Sequence, residues 1–225
     1  AVMLFNTVPW LKNIPEDIFL NFVLFYRVNN EYIEDYKNRF FEELWPRVRN
    51  KSDRDAILEV NYWCYEKATY KESDDRTASP LTVIRRTYGR CGEESTLLVS
   101  ALRSVGLPAR QCYTPRWAHC DDNHAWVEAY SDGKWHYLGA CEPEPALDKG
   151  WFTAAASKAM LIHSKVFNSD MKGELIAGRT PVFCMINNLK TYAKTTCWNV
   201  FVRKDNPPFA GAVVRCEIVN YSELY

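Results

Sequence analysis

The chain lacks an excess of either charge: 28 Lys and Arg stand against 28 Asp and Glu in 225 residues. With no net positive charge and no basic run, nucleic acid is not the expected partner. Long apolar runs are missing too. Phe19 to Tyr26 is the densest apolar stretch near the N-terminus, and Arg27 closes it far short of a bilayer span. No charged segment leads into an apolar one at the start, so no targeting signal is visible. Eight cysteines are too sparse for a disulfide scaffold, and none lies in a C-x-x-C pair, which weakens zinc-ribbon and thioredoxin readings. There is no internal repeat and no low-complexity tract. Apolar residues (47%) and charged residues (25%) are in ordinary proportion, so the chain can bury a core and disorder is excluded.

The periodicities order the chain as helices, then strands. Pro15-Glu16-Asp17 suits a helix start. Glu31 to Val48 carries Tyr32, Ile33, Tyr36, Phe40, Phe41, Leu44, Trp45 and Val48 at three- and four-residue steps, which predicts an amphipathic helix broken near Pro46. Ser52 caps a further helix over Asp55 to Tyr65, and Thr69 to Pro80 reads as a polar loop. A short helix, Leu81 to Tyr88, ends at Gly89. Another begins at Cys91 and stops at Gly106 and Pro108. Strands are expected over Ala109 to Pro115, His124 to Tyr130 and Lys134 to Leu138, the last two joined by an Asp132-Gly133 hairpin turn. After an irregular or helical stretch to Val166, β-patterned runs (Val182 to Ile186, Thr195 to Arg203, Gly211 to Val219) predict the opening strands of a separate sheet domain. A strand pattern so close to Tyr225 suggests a fragment.

Cys91 is the thiol in the most activating setting. A helix N-terminus favours a thiolate through free amides and the helix dipole, and Arg90 adds a cation while Glu93 and Glu94 oppose it. A nucleophilic cysteine needs a base, and the chain has only four histidines: His119, His124, His136 and His163. His124 opens the predicted strand His124-Ala125-Trp126-Val127-Glu128. Taken singly, Cys91 fits a buried structural thiol and His124 a hydrogen-bonded strand histidine.

Together the motifs carry more. Gly89-Arg90-Cys91-Gly92-Glu93-Glu94-Ser95, Ala101 to Arg110 (ALRSVGLPAR), and Asn123-His124-Ala125-Trp126-Val127-Glu128 resemble, in order and spacing, a transglutaminase-like core. That superfamily includes transglutaminases, peptidases and peptide N-glycanase-like enzymes. The resemblance spans roughly 55–144 and implies a papain-like α+β fold, a helix packed on an antiparallel sheet, with Cys91 as nucleophile and His124 as base. It is similar to a bacterial subgroup, often exported, with a trailing β-domain, which implies a periplasmic or extracellular location. The family places an Asp about four residues after the strand's Trp; here Trp135 leads to Gly139. Glu142 is the best substitute for that carboxylate, with Asp121 and Asp122 as runners-up.

On this reading Cys91 attacks an amide or thioester-like acyl donor of a peptide or protein substrate, His124 protonates the leaving amine, and water or an amine resolves the acyl-enzyme. The Cys91 N–H is one oxyanion donor, with Trp63 or Tyr62 as candidates for the second. No cofactor is required. Tyr113, Arg116, Trp117 and Asp122 are the expected substrate-binding residues, Trp126 and Trp135 are expected in the core, and the cluster from Arg27 to Glu31 is expected to form a turn that could also line the cleft. Two rivals remain. Cys112, His119, Cys120, His124 and Cys141 are suitable zinc ligands at unsuitable spacings, and Cys112–Cys120 or Cys120–Cys141 disulfides fit an exported protein. From another class, the Gly139 position keeps open a catalytically idle module that binds protein or glycan. The expected organisation is a helical N-terminal segment (1–50), the core (51–175) and the start of a β-sandwich-like domain (181–225).

Overall fold

The architecture comes from a computed structural model, which describes residues 8–72, 76–167, 171, 173–196, 198–203, 219–220 and 223–224. A 3-10 turn at Pro9–Asn13 leads into α1 (Glu16–Phe19), which widens into a π turn over Leu20–Leu24. The amphipathic stretch from Glu31 becomes helical only at α2 (Lys37–Val48). Ahead of it the Glu31 carboxylate accepts the backbone N–H groups of Val28 and Asn29, which fixes a turn in place of a first helical coil. Pro46 sits inside α2, in its last turn, without breaking it. Helix α3 (Asp53–Lys67) starts at the expected cap, where Ser52 Oγ accepts from Asp55 N–H at 3.1 Å.

A two-residue strand β1 (Thr69–Tyr70) then pairs in parallel with β2 (Tyr88–Gly89), across the short helix α4 (Pro80–Arg86). Thr87, in the left-handed region at φ 63°, ends α4. The central helix α5 (Cys91–Ser104) follows, and Leu97, Leu98, Ala101 and Leu102 are all fully buried. It packs on α2 and α3 on one side and on the sheet on the other.

That sheet is antiparallel and six-stranded. Its first members are β3 (Ala109–Thr114), β4 (His124–Ser131) and β5 (Lys134–Leu138). Asp132 and Gly133 both have positive φ, as the tight hairpin between β4 and β5 requires. A short helix α6 (Thr153–Ala156) precedes β6 (His163–Val166), β7 (Ile176–Arg179) and β8 (Cys184–Asn187), and α7 (Leu189–Tyr192) comes next. The strand order is β5-β4-β3-β6-β8-β7. The run from Val182 to Ile186 therefore pairs with His163–Val166 in the core sheet and does not open a separate one. The described residues of 195–203 form no strand; only Arg203 makes a bridge. Most of 211–219 lies outside the described residues, apart from β9 (Val219–Asn220), which pairs with β10 (Glu223–Leu224).

The fold is mixed α+β, a helix on an antiparallel sheet with helices ahead of it and strands behind it. Between β4 and the far strands lies a buried polar network. Arg110 pairs with Glu128 at 2.7 Å, Tyr192 donates to Glu128 at 2.6 Å, and Trp126 donates to Tyr192 at 2.8 Å. Each buried charge is thus matched, as burial demands, and β4 is tied to the segment after β8. Among the described residues no helix is long and apolar enough to cross a membrane.

Candidate active site

Cys91 stands at the first position of α5, and the turn before it depends on Glu93. One Glu93 oxygen accepts the Arg90 backbone N–H at 3.0 Å, and the other accepts Ala78 N–H at 2.9 Å. Gly89 makes room, since a Cβ there would stand 2.9 Å from Glu93 Cβ. The Cys91 thiol receives hydrogen bonds from the backbone N–H groups of Ala125 and Gly92, so β4 touches the helix tip one residue after His124.

Burial still wins over these donors. It pushes the Cys91 thiol above its ordinary range, with Glu94 adding to the rise while the two amides and Arg90 oppose it. A thiolate favoured by the helix end is therefore not the resting state; the thiol is. His124 shifts the matching way. Trp151 (4.7 Å between ring centroids), Phe152 (5.2 Å) and Trp126 (5.8 Å) surround its ring, and this desolvation lowers its pKa to about 4 against the pull of Asp122. His124 Nε2 is buried with no hydrogen-bond partner. These shifts favour a neutral thiol and a neutral imidazole at rest, and both line one cavity.

Two cavities, of about 320 and 470 Å³, meet over Cys91 and share Arg90, Asn123 and Ala125 as well. His124, Glu142, Trp117 and Asp122 line the larger with Cys91, and Tyr113 lines the smaller. Arg116 lines neither; it pairs with Asp121 at 3.1 Å. Trp126 is fully buried and Trp135 half-buried, both within strands, while Trp117 is only 3% exposed yet reaches the cavity wall. Val28, Asn29 and Asn30 of the N-terminal turn line the smaller cavity, so that turn also serves the cleft.

Trp63 and Tyr62 are in the wrong places to be oxyanion donors. Trp63 is 2% exposed and packs on Phe40, and Tyr62 lines a distant hollow with Ser52 and Pro143. Both were read from a helix whose rotation the pattern alone does not set. Cys112, Cys120 and Cys141 are free thiols, so neither Cys112–Cys120 nor Cys120–Cys141 is bridged; Cys112 is wholly buried on β3, and Cys141 instead lies against Cys64. Among the described residues no three His, Cys, Asp or Glu side chains gather as a metal group.

Glu142 fills the space that Gly139 leaves. A Cβ built on Gly139 would collide with Glu142 Oε2, so the 142 carboxylate occupies the volume of a 139 side chain. The intervening Cys141 is left-handed (φ 58°), which folds Glu142 back over Gly139. Asn61, wholly buried on α3, holds this turn: it donates to Gly139 O (2.9 Å) and Glu142 O (3.3 Å) and accepts from Cys141 N–H (2.9 Å). Trp151 Nε1 donates to Glu142 Oε1 at 3.1 Å while its ring lies on His124, so one side chain bridges His124 and Glu142. No carboxylate reaches His124 directly among the described residues. Glu94 also faces this cavity, with its pKa pushed up to about 8 by burial and then by Glu142 and Glu93. Burial raises Glu142 as well.

Asn61, Gln111 and Trp151 are residues of the candidate site that lie outside the motifs, whereas Glu94 is named there only for its effect on Cys91. Asn61 had a signal, a polar residue on the apolar stripe of Ile57, Val60 and Cys64. Gln111 had none; it joins Asn29 (2.8 Å) to Gly92 O (3.0 Å) across the smaller cavity.

Known proteins resemble the chain over part of this region. Residues 43–140 match the transglutaminase-like superfamily. That match takes in under half of the chain and likens residues 43–140 to a transglutaminase-like core. Over 101 residues, 43% of its length, it is 35% identical to the peptide-N(4)-(N-acetyl-beta-glucosaminyl)asparagine amidase of Eremothecium gossypii. It spans about a quarter (26%) of that relative. Among solved structures, a candidate cysteine protease from Cytophaga hutchinsonii is 19% identical (TM-score 0.46) over 80% of this chain and 66% of that one. Legionella pneumophila LapG is also 19% identical (TM-score 0.41), over 62% of this chain and 79% of its own. The superfamily match ends at Ala140, so Glu142 lies just outside the matched residues.

Proposed function

We propose that the transglutaminase-like core is a cysteine acyl-transfer enzyme acting on amide bonds of a peptide-like substrate. The observation that carries this reading is the junction of α5 and β4. There the Cys91 thiol accepts the Ala125 N–H, and it shares one cavity with His124, whose Nε2 is buried and unpartnered.

Cys91 Sγ attacks the amide carbonyl carbon, and His124 takes the thiol proton and passes it to the departing amine nitrogen. The C–N bond breaks and a thioester remains on Cys91. Water or a second amine, deprotonated by His124, then releases the acyl group. Cys91 N–H, without an intrahelical partner at the helix start, is placed to meet the oxyanion. Glu142 holds the Trp151 indole against His124 and so orients the imidazole, while Asp122 is the carboxylate whose charge favours its cation. The E. gossypii relative's name gives an amidase, which supports the amide bond as the reacting group.

The test is steady-state release of a chromogenic amine from an activated peptide anilide, with and without hydroxylamine as competing acceptor. Turnover that Cys91→Ser abolishes, with hydroxamate formed in the presence of hydroxylamine, supports the enzyme. The missing carboxylate contact at His124 favours a second reading, an idle module that binds peptides. Peptide binding without any turnover selects that one.

A further inference from the structure

The two cavities that meet at Cys91 differ in charge. The smaller has Lys165, Arg90, Asn29, Gln111 and His163 on its walls and no carboxylate among the described residues. Lys165 Nζ donates to Asn29 Oδ1 at 2.7 Å and lies over the Phe183 ring, and Glu31, outside the cavity lining, is the acid that acts on its charge. His163, only 8% exposed, has its Nδ1 buried without a hydrogen-bond partner. The larger cavity is lined by Glu72, Asp122 and Glu142, by Glu94, which burial keeps protonated near neutral pH, and by Trp117 and Trp151, with Arg90 at its junction. Carboxylates and aromatic faces suit an ammonium group.

His124 lines only the larger cavity. A base that hands its proton to the departing amine must face that amine, so the amine half of the substrate belongs on the His124 side and the acyl half on the Lys165 side.

We infer that the cleft takes a charge-polarised amide, its acyl half carrying a carboxylate toward Lys165 and its amine half a cation toward Glu72 and Asp122. This rests on the acyl-transfer reading above. It makes cationic amines the preferred acceptors and fixes the direction of the substrate across Cys91. Lys165 is half-buried, so its charge acts more strongly than on open surface, while Glu72 and Asp122 stand exposed at the edge of the larger lobe and act by steering.

Methanethiosulfonates that differ only in charge probe the two lobes without a substrate. The aminoethyl (cationic), methyl (neutral) and sulfonatoethyl (anionic) reagents each form a mixed disulfide on the Cys91 sulfur and release methanesulfinate. Rates at Cys91, mapped by mass spectrometry, are compared in the wild type, Lys165→Gln, and the double variant Glu72→Gln/Asp122→Asn. The cationic-to-neutral ratio should fall about threefold or more in the double variant and not in Lys165→Gln. The anionic-to-neutral ratio should fall by a similar factor in Lys165→Gln alone. A reactive Cys91 whose ratios ignore both variants overturns the polarity and leaves acyl transfer standing. A Cys91 that none of the three reagents modifies overturns both.

Discussion

At the scale of single residues, the role proposed for Glu142 rests on the exchange between positions 139 and 142. An Asp at 139 would place its carboxylate from the strand end. Here that volume is filled from three residues on, because Gly139 has no Cβ and Cys141 turns left-handed. Gly139→Ala therefore tests the arrangement without touching the core: its methyl collides with the mobile end of Glu142 and displaces the carboxylate. Thermal unfolding should barely change, while turnover falls at least as far as in Glu142→Gln. Because Glu142 reaches His124 only through Trp151, the loss expected for Glu142→Gln falls well short of the roughly 10⁴ that follows neutralising a directly bonded triad carboxylate. A Gly139→Ala enzyme with wild-type turnover would show that the Glu142 position is immaterial. Cys91, His124 and Glu142 were legible as candidates because motif order names the first two and the Gly139 vacancy points to the third. The resting charge of Cys91 was not legible. A helix end argues for thiolate, and only the packed site reveals that burial outweighs it.

Among the elements, α3 and the chain after β5 are locked by one side chain. Asn61 satisfies two carbonyls and one amide of the turn that carries Glu142. Asn61→Ala leaves these groups buried and unpaired and should lower stability by about 2–4 kcal/mol in urea unfolding. A loss below about 0.5 kcal/mol would mean that the turn holds itself. The helices and first three sheet strands were readable to within a few residues, because their apolar periods are strong and their caps, such as Ser52, are local. The strand at Cys184–Asn187 was readable as a strand but not as a member of the core sheet. Its pairing with His163–Val166 is a long-range choice that a β pattern does not encode. The stretch before α2 failed for a different reason: Glu31 spends its carboxylate on the Val28 and Asn29 amides, and no helical period records that competition.

For the molecule as a whole, the site leaves a signature in the pH dependence of stability. His124 and His163 titrate near 4 when folded and in the ordinary histidine range near 6.5 when unfolded. The unfolded chain therefore binds more protons as pH falls below 6.5, and stability is lost toward pH 4. Glu94 has the opposite sign. Its folded pKa of about 8 lies far above the unfolded value, so the folded state keeps a proton that the unfolded chain releases. Stability falls as pH rises from about 4.5 to 8, and Glu142, also raised, acts in the same sense. Two histidines outweigh Glu94 below pH 6.5, and above it Glu94 acts with little opposition. Unfolding free energy should thus peak near pH 6.5 and drop by about 2 kcal/mol by pH 8. Glu94→Gln should remove most of that alkaline drop. An unchanged slope in the variant would place the proton elsewhere.

The most direct test of the account is single-turnover acylation of the protein by an activated thioester, followed by intact mass and peptide mapping. A single acyl adduct on Cys91, formed at least about 10²-fold more slowly in His124→Gln, is the predicted result. Equal acylation rates in the two proteins, or an adduct carried by Cys120 in place of Cys91, would contradict it.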